Sequence, residues 1–201
     1  VAATLKAASA VTVLLGAALA LSGAAVLHGM APSRPVDTGA IPPALSSTAP
    51  SVGGGVLPVR LGIPALHIDA AIHPVGVDAD GALRVPAHPD QLGWWSGGAR
   101  PGSAAGRVVI VGHVDTAAQG PGAFFRLAHV EVGDKVRVQL ADGQSRTYRI
   151  VARRHYRKDR LPAQVFAQTG PPCLVLITCT GPFDRATRHY RDNLVVYALP
   201  T

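Results

Sequence analysis

Cysteine is scarce in this sequence of 201 residues: there are two, too few for a disulfide-dense scaffold. Aromatic residues make up only 5% of the chain, but a hydrophobic content of 48% excludes a disordered polymer. The 22 glycines and 17 prolines follow no triplet repeat, so the chain is not collagen-like. Acidic residues are outnumbered, 12 against 19 Lys and Arg, for a formal charge of +7. There is no zinc-finger spacing, RNA-binding aromatic signature or recognition-helix pattern, so nucleic acid is not expected as a partner. No clustered His or Cys completes a metal set around His113-x-Asp115, so no metal is expected.

What is present falls into three zones. From Ala7 to Leu27 the chain runs for 21 residues without a charge. At about 1.5 Å per helical residue that length crosses a hydrocarbon core of about 30 Å. The run is longer than the roughly 7–15 apolar residues of a signal-peptide core, although small residues at Ala24-Ala25 also suit cleavage. We read an uncleaved transmembrane anchor over 7–27, with residues 1–6 and Lys6 in the cytoplasm and everything after it outside the cell. Residues 28–55 are a linker rich in Pro, Ser, Thr, Ala and Gly, with no apolar periodicity to offset the entropy of ordering. Residues 56–201 form the folded domain and carry 17 basic against 11 acidic side chains. Such a basic surface suits anionic lipid or an anionic polymer such as cell-wall material.

Within 56–201 short apolar runs alternate with turn residues, which predicts an all-β domain. Expected strands are Pro58–Ile63, Ala70–Val75, Ala82–Val85, Arg107–Gly112, Lys135–Leu140, Ser145–Ala152, Leu174–Thr178 and Asn193–Ala198. The turn Ala141-Asp142-Gly143-Gln144 links two alternating runs as a hairpin does. Eight strands in this length suit a small closed barrel or a sandwich. One- or two-turn helices are expected over 122–128 and 162–167.

Cys179 closes the apolar run from Leu174, before a Gly181-Pro182 pair expected to break the strand. By itself it reads first as a buried inert residue. Cys173 lies six positions earlier, roughly 20 Å away along an extended strand at about 3.3 Å per residue, whereas a disulfide needs Cα atoms within about 7 Å. The two cannot pair with each other, and a free thiol outside the cell asks for a reason. A nucleophilic thiol needs a base, usually histidine. Of the eight histidines, His113 stands apart because it ends the strand-like run Val108-Val-Ile-Val-Gly112. A structural and a catalytic role fit it equally. The segment 183–193 then supplies Arg185, Arg188 and Arg191 just before the last expected strand, cations suited to a developing oxyanion.

Together these pieces resemble the sortases, membrane-anchored cysteine transpeptidases of Gram-positive surfaces. The resemblance covers residues 56–201. The family's T-L-x-T-C motif matches Val175-Leu176-Ile177-Thr178-Cys179, with Val in place of the first Thr, and Gly112-His113-Val114-Asp115 is similar to its histidine segment. Thr178-Cys179-Thr180-Gly181-Pro182-Phe183-Asp184 and Tyr190-Arg191-Asp192-Asn193 look most like the actinobacterial class F subgroup. The resemblance implies an eight-stranded closed β-barrel and no cofactor. It implies cleavage of an LPxTG-type sorting signal and transfer of the protein to an amine, such as that of a lipid-linked peptidoglycan precursor. Cys179 would be the nucleophile, His113 the acid and base, and Arg191 the cation, with Thr178 and Arg188 at the substrate. In the better-known sortases the arginine immediately precedes the last strand, a position that aligns with Asn193; Arg191 lies two residues back, on the same side of an extended strand. A papain-like peptidase or a cysteine L,D-transpeptidase fits less well, for lack of a Ser-x-Gly-Cys signature. A non-catalytic anchored β-domain that binds wall polymer is the other reading.

Overall fold

The computed structural model describes residues 36–42 and 55–201; the apolar run 7–27 lies outside them. Among the described residues no helix is long and apolar enough to cross a membrane. The strands are β1 (Thr38–Gly39), β2 (Pro58–Ile63), β3 (Ile68–Val75), β4 (Leu92–Trp95), β5 (Arg107–Gly112), β6 (Asp115–Thr116), β7 (Gly120–Pro121), β8 (Lys135–Leu140), β9 (Ser145–Arg157), β10 (Cys173–Asp184) and β11 (His189–Pro200). Eight of them follow one another as β9-β11-β10-β5-β4-β3-β2-β8, and a β8–β9 pairing closes the ring. Closure removes the unpaired edges that an open sheet would expose. β1 is a short addition on β9, and β6 pairs only with β7.

Alternation along the strands builds the barrel core. Leu61, Ile63, Ile72, Leu92, Ile110, Val136, Val138, Ile150, Leu174, Leu176, Leu194 and Val196 all point inward, so every strand of the ring contributes to one cluster. In β8 this is a strict in–out rhythm, with Lys135, Arg137 and Gln139 outward. β5 differs, because all six of its residues are buried. Its second face, with Val109 and Val111, packs with Val175, Ile177, Val195 and Tyr197 in a second cluster outside the barrel wall. A 3-10 turn at Ala163–Phe166 covers that cluster through Val165, and Phe166 meets Trp95 edge-on at 5.5 Å. A central strand apolar on both faces is what two covering layers require.

Several expectations change. Ala82–Val85 is not a strand: it forms a turn with one isolated bridge, Val77 to Leu83, clasped by Arg84 on Asp78 at 2.6 Å. β4 takes the third place in the barrel instead. The helices expected over 122–128 and 162–167 are single 3-10 turns, Leu127–His129 and Ala163–Phe166. Gly181-Pro182 does not end its strand, since β10 continues to Asp184 across an irregularity between Thr180 and Phe183. A bulge tolerates proline because no ladder N–H is needed there. Within the Pro- and Ser-rich stretch, residues 36–42 lie against β9: Thr38 pairs with Arg153, and Asp37 accepts from the backbone N–H of His155 at 2.9 Å.

Candidate active site

The site is built where β5 and β10 run side by side. They pair in parallel, with Val109 beside Val175 and Val111 beside Ile177. The last residues so paired are Val111 and Ile177, and His113 and Cys179 each stand two positions beyond them. Both follow the period-two rhythm of the outer face, after Val111 and Ile177. Cys179 is therefore a half-buried thiol on the outside of the barrel wall, and it is free. Cys173, also free, is 1% exposed. Burial pushes its thiol up, with the neighbouring Arg107 acting in the opposite direction, so it is the less reactive of the two.

Thr178 faces the other way. It is 4% exposed, and its hydroxyl donates to the carbonyl of Gly112 at 2.8 Å. That bond joins the residue before Cys179 to the residue before His113. On the far side of His113, the N–H groups of Gly122 and Phe124 donate to Val114 and His113 at 2.8 and 3.0 Å, so the backbone is braced after the strand ends. The imidazole is held as well, with Nε2 2.8 Å from the carbonyl of Pro86. A carbonyl oxygen only accepts, so Nε2 carries a proton and Nδ1 is left as the nitrogen that gains and loses one.

The β10–β11 hairpin carries the arginines. Cys179 is opposite Asn193 and Thr180 opposite Asp192; the register then shifts and Phe183 meets Tyr190. The shift is made at Gly181, φ +79°, where a Cβ would sit 2.3 Å from the Asp192 carboxylate. At the tip, Asp184 accepts from the backbone of Ala186 and Thr187 at 2.9 and 3.3 Å. Those two N–H groups, with the Arg191 guanidinium as a smaller contribution, hold the Asp184 carboxyl below the usual carboxylate range. Arg188 is exposed in the turn, in the left-handed region at φ +56°. Arg191 is exposed too, with Nη2 3.4 Å from Asp184. The fold thus leads Cys179 and His113 off the same end of the β5–β10 pairing. It puts Arg191 on the same hairpin as the thiol, held by Asp184, and Arg188 at its tip.

Two partners were not singled out from the sequence. The Tyr190 hydroxyl donates to Asp115 at 2.7 Å, a bond between the hairpin and the loop that follows His113. Burial, then the bond to Asp115, its charge and the nearby Cys179, push that phenol up to about 12. Pro86, which accepts from His113, is the other. Each contact joins strands distant in sequence, so no local pattern signals it; the only hint of the first was an aspartate two residues from the histidine.

A closed β-barrel with a free thiol on one strand and a histidine just past the end of the parallel strand beside it defines the class. A sortase-domain model matches residues 61–201, and the chain belongs to the sortase family. Solved structures agree on the fold. Sortase C1 from Streptococcus agalactiae superposes with a TM-score of 0.56 at 20% identity, covering 71% of this chain and 66% of its own. Sortase A from Corynebacterium diphtheriae gives 0.54 at 22% identity, with 72% and 60% covered. Sortase C-1 from Actinomyces oris gives 0.54 at 21%, with 72% and 74%. The chain thus spans just under two thirds of the first two structures. No curated protein sequence matches it.

Proposed function

We propose that the protein is a class F-like sortase: a cysteine transpeptidase, held in the cell membrane by residues 7–27, with residues 56–201 outside. It acts on secreted proteins bearing a carboxy-terminal sorting signal of LPxTG type. The acceptor is an amine of the cell-wall precursor. The observation that supports this reading is the parallel register of β5 and β10, beyond which a half-exposed free thiol and a histidine each follow two residues on.

In the forward step the Cys179 thiolate forms a bond to the scissile carbonyl carbon, and the C–N bond breaks as His113 gives its proton to the leaving amine. The product is a thioester. In the second step the acceptor amine attacks that carbonyl carbon, His113 takes a proton from it, and the C–S bond breaks to return the thiolate. Nδ1 is the nitrogen that shuttles the proton, because the Pro86 carbonyl holds Nε2–H in place. Arg191 supplies positive charge to the oxyanion, moving from Asp184 as substrate arrives. Thr178 positions the strand end, and Arg188 lines the approach.

The test is to incubate the chain with LPxTG-like peptides and amines and to weigh the products. Cleaved peptide joined to amine supports the reading. Intact peptide under all conditions, with Cys179 inert to alkylation, points instead to a β-domain that only binds wall polymer.

A further inference from the structure

The opposite wall of the barrel from the cysteine is formed by β2, β3, β8 and β9. Its outward positions include Arg60, Asp69, Lys135, Arg137 and Arg149, because the residues alternating with them fill the barrel core. The register sets Lys135 directly opposite Arg149. Like charges facing each other across a ladder are destabilising, and sheets ordinarily put an acid in one of the two positions. The acid on this wall, Asp69, is taken by Arg60, whose Nε and Nη2 donate to its two oxygens at 2.6 and 2.9 Å. Among the described residues no ion pair engages Lys135, Arg137 or Arg149.

At Arg137 is an open recess of about 640 Å³, lined also by Arg60, Gly62, His67, Asp69 and Gln139. Arg137 is the cross-strand neighbour of Gly62. A Cβ on Gly62 would meet only the Ile68 carbonyl, at 3.8 Å, so the backbone does not demand glycine there. The absent side chain leaves the floor open next to an unpaired guanidinium.

We propose that this wall binds a linear phosphate polyanion, with one phosphate in the recess at Arg137 and following phosphates along Lys135 and Arg149. Lys135 and Arg137 are two residues apart on β8, about 6.6 Å along the strand, and Arg149 is opposite Lys135 one strand over, about 4.8 Å away, a spacing suited to successive charges of a chain. Guanidinium groups present planar forks that match phosphate oxygens. A flexible chain reaches the floor of a concave site, whereas a planar bilayer surface does not. The site is independent of the cysteine chemistry and stands or falls separately from it.

The experiment measures binding of long-chain polyphosphate, and of inorganic phosphate, to the full chain in a zwitterionic detergent at two salt concentrations. Polyphosphate is expected to bind far more tightly than inorganic phosphate and to weaken steeply with salt, as counterion release requires. The double variant Lys135→Gln, Arg137→Gln should lose at least about tenfold in affinity. Gly62→Val should weaken binding several-fold with the charge unchanged, and Gln139→Tyr blocks the same recess should Gly62→Val fail to fold. Thermal melting checks each variant. Equal affinity for all variants overturns the proposal. So does loss in the charge variant with none in the recess variants, which would mean diffuse attraction without a site. An effect confined to partition into micelles doped with phosphatidylglycerol overturns it in favour of a bilayer surface.

Discussion

The hydroxyl of Thr178 and the carbonyl of Gly112 are joined by a 2.8 Å hydrogen bond inside the barrel, one residue before Cys179 and one before His113. The side chains that would react face outward, while the bond that fixes their separation is hidden behind them. Thr178→Val keeps the shape and removes the donor. It should cost about 1–3 kcal/mol of stability, the usual penalty for a buried polar group left without a partner. Turnover should fall with little change in KM, and threonine-to-serine should restore most of it. Denaturant unfolding and steady-state kinetics check both halves.

The two thiols should behave differently toward an alkylating reagent. In the folded protein one label is expected, on Cys179, because Cys173 is 1% exposed and its thiol is pushed up by burial. In denaturant two are expected. Cys179→Ala should abolish peptide turnover and leave the thermal midpoint nearly unchanged, whereas Cys173→Ala should keep activity. Mass spectrometry of labelled peptides reads the first point directly.

The oxyanion role proposed for Arg191 sets it apart from its neighbours. Arg191→Ala should lower kcat about 100- to 1000-fold, as expected for loss of an oxyanion donor. Arg188→Ala, at the exposed turn, should cost only a few-fold, mostly in KM. Asn193 is directly opposite Cys179, so Asn193→Ala is the necessary comparison. A larger loss there than in Arg191→Ala would transfer the role to Asn193.

Alkaline pH offers a test of the Tyr190–Asp115 bond. The phenols of Tyr190 and Tyr148 are both pushed up to about 12 from an ordinary 10.0, chiefly by burial. Above pH 10 the unfolded chain therefore holds fewer protons than the folded one, and stability falls as pH rises. The contribution is fully present below pH 10 and is lost by about pH 12. Tyr190→Phe should flatten part of that decline. Because the same hydroxyl ties the hairpin to the loop after His113, the variant should also reduce kcat at neutral pH.

The legible and the illegible parts of the fold differ for physical reasons. β5 could be read because five apolar or small residues follow Arg107 without a break, as burial on both faces requires. β8 could be read from its alternation, and the bounds expected for β2, β5 and β8 are those observed. β4 escaped because Leu92-Gly93-Trp94-Trp95 is four residues long and has glycine inside it, so neither rhythm nor length marked it. Ala82–Val85 showed apolar residues in alternation, but the Arg84–Asp78 clasp folds it back as a turn. The extension of β10 through Pro182 depends on a bulge whose partner strand lies beyond the hairpin. Cys179 and His113 could each be singled out because each ends a buried run. Their adjacency needed the parallel pairing of strands 66 residues apart in the Thr178–Gly112 contact, which no local pattern encodes.

β10 is laced to β5 from Cys173 to Ile177 on one flank and to β11 past Cys179 on the other. A nucleophile on such a strand is a fixed anvil, and accommodation of different guests must come from the parts around it. The turn at 76–91, which supplies the Pro86 carbonyl, and the tip at 185–188 are free of that lacing. Exchange of these two pieces between relatives is therefore the economical route to altered selectivity, with the central strands kept as an interchangeable chassis.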